Sequence, residues 1–90
     1  MTMRELVDST RRLAAESERS KRSVDLLRQQ LIANTIHLER ILGGAGGGDV
    51  GELLQVLRRS DSELEQSIES LDRTRVSAVA YISHLEQLGG

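Results

Sequence analysis

Between residues 3 and 41 the apolar side chains fall at alternating steps of three and four. The series runs Met3, Leu6, Thr10, Leu13, Ser17, Ser20, Val24, Leu27, Leu31, Asn34, Leu38, Ile41, and eight of these twelve positions are apolar. This spacing sets side chains along one stripe of an α-helix, whereas a strand needs strict alternation, which fails over the whole stretch. A second series starts at residue 50: Val50, Leu53, Leu57, Ser60, Leu64, Ser67, Leu71, Thr74, Ala78, Tyr81, Leu85, Leu88, with nine of twelve apolar or aromatic. The pattern predicts two long helices and no strand.

The residues at the ends of the stripes agree with this. Thr2 followed by Glu5, and Asp49 followed by Glu52, both fit a capping box. In that motif the first side chain accepts from an amide that the helix leaves free, and the glutamate reaches back. Gly43 follows Leu42, and glycine takes the left-handed conformation that ends many helices. The expected helices are 3–42 and 50–88, each about 60 Å long at 1.5 Å per residue. The join, 43–49, contains Gly43-Gly-Ala-Gly-Gly-Gly48. Each glycine costs about 1 kcal/mol relative to alanine inside a helix, so five in six residues interrupt it. A phosphate-binding loop would need Lys-Ser/Thr after the last glycine, but Asp49 follows, and a dinucleotide fingerprint would need a preceding strand.

A short join makes the two helices antiparallel neighbours. Facing Ile41 with Val50 pairs Leu38 with Leu53, Leu27 with Leu64, Leu13 with Ala78 and Leu6 with Leu85, so that facing residue numbers add to 91. Asn34, in this seam, is expected to fix register as buried polar residues do in coiled coils. The small seam residues Ser17, Ser20 and Thr74 let the helices approach closely at one level. Two helices bury only a narrow strip of each other, little against the entropy of ordering them. Beside the seam lie Val7, Ala14 and Leu42 on the first helix and Leu54, Ile68 and Ile82 on the second. This edge is the expected interface with a further chain. The opposite edge, Ser9, Glu16, Ser23, Gln30 and His37 with Glu63, Ser70, Ser77 and His84, reads as solvated. The expected architecture is therefore all-α: an antiparallel, coiled-coil-like two-helix hairpin that dimerises into a four-helix bundle.

Composition narrows the function. The 90 residues include one Tyr and no Trp, Phe, Pro or Cys, and 29% are charged with a net charge of −2. With no cysteine there is no disulfide framework, thiolate site or cysteine nucleophile. Acids and bases are interspersed, which argues against nucleic acid as a partner and against a basic membrane-surface helix. The start of the chain lacks the apolar core of a signal peptide, and no apolar run approaches the ~20 residues of a membrane span. A cytoplasmic protein is expected, and export without a cleavable signal stays open.

Candidate chemistry is sparse. In a hairpin, His37 sits near the join and His84 near the chain ends, roughly 50 Å apart. His37-Leu-Glu39 and His84-Leu-Glu86 lack the Glu-x-x-His spacing of di-iron bundles. No catalytic residue, cofactor or metal site is expected. The expected function is non-enzymatic assembly or adaptor work, docking on the same chain or on another helical one. A small regulator that sequesters a partner helix is an alternative.

In size, two helices, and lack of cysteine and signal peptide, the chain resembles the WXG100 superfamily of small helical hairpins. The resemblance implies a dimer exported by type VII secretion as a further alternative. The Trp-x-Gly turn of that superfamily is replaced by Gly43–Gly48, and four residues after Tyr81 stands Leu85 rather than an acid, with Glu86 one later. No functional residue is carried over.

Overall fold

The computed structural model describes residues 1–42 and 48–89, with side chains for 1–42 and 51–89. Helix α1 spans Met3–Leu42 and helix α2 spans Gly48–Gly89. They pack antiparallel into a rod of 66 × 18 × 16 Å. Met3 meets Gly89 at one end, where a Cβ on the glycine would lie 3.8 Å from Met3 Cγ. Near the other end Arg58 reaches Glu39 at 3.6 Å. The expected capping box at Asp49 and the Ile41–Val50 layer fall on side chains outside the described residues, as does the conformation of residues 43–47.

The first helix starts as its sequence dictates. Glu5 N donates to Thr2 Oγ1 at 3.1 Å and Leu6 N donates to Thr2 O at 3.1 Å, so Thr2 is the N-cap. Hydroxyls inside the helices bond back one turn: Thr10 to Leu6 O at 2.8 Å and Thr35 to Leu31 O at 2.7 Å. This local bond satisfies the donor, so Thr10 can be buried against α2 without an unmet polar group.

The inner side of the hairpin differs from the sequence expectation by a rotation. The covered positions of α1 include Val7, Thr10, Ala14, Ser17, Lys21, Val24, Arg28, Leu31, Thr35, Leu38 and Leu42, flanked by the partly covered Glu18, Asp25 and Leu6, the last of these expected inside. Those of α2 include Leu54, Leu57, Asp61, Leu64, Ile68, Leu71, Arg75, Ala78, Ile82 and Leu85, flanked by the partly covered Asp72 and Ser60, the latter expected inside. Both series keep the three-four step. In each helix one of the two expected stripes is retained, and the other moves on by one residue, a turn of roughly 50° about the helix axis. Leu13, Leu27, Ile41, Leu53, Tyr81 and Leu88, expected inside, are exposed, and so is Asn34, which therefore does not hold the register. The register shifts slightly as well: Lys21–Asp72, Glu18–Arg75 and Arg28–Glu65 add to 93, Arg28–Asp61 to 89, and Arg11–Glu86 and Arg58–Glu39 to 97, so the ion pairs centre near 93 rather than 91.

The physical reason lies in small residues and charges. Ser17, Ala78 and Leu85 are only 4%, 5% and 4% exposed, and with Ala14 the first two form a level where little side chain separates the backbones. Next to that level the rotated faces place Lys21, Arg28 and Arg75 over acids of the opposite helix. The unrotated faces would instead set Ser20, Asn34, Ser60, Ser67 and Thr74 inside with few partners. Long basic side chains can lie over an apolar seam and still end in ion pairs at its edge.

Candidate protein-binding face

The rotation gives the rod two unlike long faces. On one, the residue following each covered position is charged at most levels, and interhelical ion pairs cross the seam. Arg11 meets Glu86 at 2.6 Å, Lys21 meets Asp72 at 3.0 Å and Arg75 Nε lies 3.3 Å from Glu18. Arg28 reaches Asp61 at 2.8 Å and Glu65 at 3.5 Å. Two bonds from Lys21 and Arg75 converge on Asp72 Oδ1, at 3.0 and 3.2 Å. Mainly through the Lys21 bond and then the Arg75 bond, the Asp72 carboxyl is held below its ordinary value. The Arg28 guanidinium is raised, first by its hydrogen bond to Asp61. Arg75 Nε is buried and, although it faces Glu18, makes no hydrogen bond.

Sequence reading missed this ladder because charges were read as solvated surface. A signal existed: in an antiparallel pair, opposite charges whose numbers share one sum lie at one level, and 21 with 72, 18 with 75 and 28 with 65 all do.

The other long face is a shallow groove between the helices. Its floor and walls run from Tyr81 and Leu13, past Thr74 and Ser70, to Ser67, Leu27 and Ser60. Among the described residues no interhelical ion pair crosses it. Its aliphatic ridges stand in water: Leu13 is 48% exposed, Leu27 52% and Ile41 65%. Along α2, Leu53, Tyr81 and Leu88 continue them at either end, with the small Ser60, Ser67 and Thr74 between. A smaller apolar dimple lies on the ion-pair side, where Ile32, Ile36 and Leu57 meet beneath Arg58 and Asp61.

The structure places all six residues expected at an interface, Val7, Ala14, Leu42, Leu54, Ile68 and Ile82, at partly covered positions within the hairpin's own inner side. The edge read as solvated, with Ser70 and Ser77, borders the groove instead. Both histidines are exposed, and His84 stacks on Tyr81 with ring centroids 6.5 Å apart at 26°. Among the described residues no group of three His, Cys, Asp or Glu could hold a metal ion, and no helix is long and apolar enough to cross a membrane.

No family model, curated protein or solved structure matches the chain. The likeness to the WXG100 superfamily stays one of architecture: an antiparallel hairpin of two helices.

Proposed function

We propose that the chain is a non-enzymatic assembly or adaptor subunit that docks by its grooved face onto another pair of helices, completing a four-helix bundle. One observation carries this reading. A row of aliphatics, Leu13, Leu27, Ile41 and Leu53, lies in water along a face that no interhelical ion pair crosses among the described residues, while ion pairs cross the opposite face between the exposed Ile32, Ile36, Val76 and Val79. Soluble monomers seldom leave contiguous apolar patches of more than a few hundred Å² uncovered. A face of a 66 × 18 Å rod offers on the order of 1,000 Å², above the roughly 800 Å² that each partner contributes to a standard interface. In a bundle, Val7, Ala14, Leu42, Leu54, Ile68 and Ile82 hold the hairpin together beneath that surface, and a second layer shields them further from water.

The test is co-purification of the native protein with its bound chains, followed by mass measurement, for the wild type and for a Leu13→Glu/Leu27→Glu variant. Circular dichroism checks that the variant is still helical. The expected result is loss of the bound chains with helicity kept. An assembly of unchanged mass in the variant would refute the grooved face as the docking surface.

A further inference from the structure

We infer that the occupant of the groove is a second copy of this chain, laid antiparallel across it, with the two-fold axis passing beside Ser67. The inference rests on the docking reading above and names its partner. The argument begins with the two charges that line the groove, Glu63 and Arg73. Neither forms an ion pair within the hairpin among the described residues. Arg73 bends back over the groove, its Nη2 donating to Ser70 Oγ at 3.2 Å. The two charges stand ten residues apart on α2, about 15 Å of helix rise, with Ile68 midway and Ser67 beside it.

An antiparallel copy turned about Ser67, one residue from that midpoint, brings Glu63 to within about 3 Å of helix rise of the partner copy's Arg73, and Arg73 likewise to its Glu63. Both charges are met, twice, by one symmetry operation, as an isologous interface requires. Shape agrees with charge. Along α2 the axis sets Ser60 against Thr74 and Ser67 against itself, so small residues let the two copies of α2 approach. Leu53 then meets Tyr81. If the copies lay parallel, α1 of one would cover α2 of the other at equal level. Glu63 would then face Gln30 and lack a counter-charge. The antiparallel copy is the arrangement in which neither Glu63 nor Arg73 is left without a counter-charge.

The chain contains no cysteine, so single thiols report cleanly. A side chain beside a two-fold axis lies close to its own symmetry mate, within reach of a disulfide. Ser67→Cys is expected to form a disulfide-linked dimer under mild oxidation, and Leu53→Cys is not. The Leu53→Cys/Tyr81→Cys double variant is expected to cross-link between chains. Sedimentation supplies the second arm: Arg73→Glu and Glu63→Arg each weaken self-association about tenfold, and the double charge swap returns it to within about threefold of wild type. A dimer by mass with no Ser67→Cys disulfide, or one that both single reversals leave unchanged, would overturn the antiparallel pairing. A wild type with the mass of one chain at every concentration would overturn the self-pairing itself. If that single chain still captured another helical protein through Leu13 and Leu27, the docking reading would stand without the second copy. If the Leu13→Glu/Leu27→Glu variant kept all its partners, the docking reading would fall too.

Discussion

Leu85 and Leu27 separate the rotated seam from the one that aliphatic spacing suggests. In the expected register both leucines are inside. In the structure Leu85 is 4% exposed and Leu27 is 52% exposed. Truncating Leu85 to alanine removes side-chain carbons that are almost wholly covered and leaves a cavity. Leu→Ala changes in cores cost about 2–5 kcal/mol, and the lower half of that range applies here because a two-helix seam can close up. Truncating Leu27 removes the same atoms at a position half in water. At about 0.8 kcal/mol per buried methylene, its loss is about 1 kcal/mol in the hairpin alone. In a domain of this size each kcal/mol shifts the melting temperature by about 4–8 °C. Thermal melts followed by circular dichroism at the lowest workable concentration should therefore show Leu85→Ala falling by about 8–28 °C and Leu27→Ala by about half as much or less. The contrast should narrow as concentration rises, because assembly covers Leu27 but adds little to Leu85. Equal losses for both variants at low concentration would refute the rotation and return Leu27 to the seam.

Three other outcomes are expected. Asp72 is depressed below its ordinary value by Lys21 and Arg75, so its contribution is present above the unfolded carboxylate value of about 3.9 and is lost as pH falls through the folded value. Melts from pH 7 down to 2 should show that loss, and Asp72→Asn should flatten it; an identical acid profile in the variant would remove Asp72 from the account. Thr2→Ala removes the acceptor for Glu5 N and should cost about 1 kcal/mol, seen as faster amide exchange confined to the first turn of α1. Gly51 stands within α2, and a Cβ there would meet nothing within 4 Å. Gly51→Ala should thus stabilise α2 by about 1 kcal/mol, and a lower melting temperature would count against that helix start.

Half of the seam was legible residue by residue. Thr10, Ser17, Val24, Leu31 and Leu38 on α1, and Leu57, Leu64, Leu71, Ala78 and Leu85 on α2, belong to the stripe under either register and are covered in the structure. The second half was misread for a definable reason. Leu13 and Leu27 outrank Lys21 and Arg28 on any hydrophobic scale, so a count of aliphatics turns the helix toward them. That count omits the acids across the seam, which compensate the bases when the stems lie flat. Val7, Ala14 and Leu42, read from the sequence as an outer edge, stand at partly covered positions of the rotated seam, and the rotation exposes the other edge. The groove charges Glu63 and Arg73 were equally hidden, as each looks like ordinary solvated surface until the groove is seen.

By itself the sequence determined that the chain forms two helices, where α1 begins and ends, and that the two fold back on each other. Capping residues, the absence of proline and the three-four step all act within a turn or two of a single helix, so they can be read locally. Only the tertiary structure decided which side of each helix faces the other. That choice weighs Leu13, Leu27 and Tyr81 against ion pairs such as Lys21–Asp72 and Arg28–Asp61, whose members are far apart in the chain and have no energy of interaction until the helices are side by side.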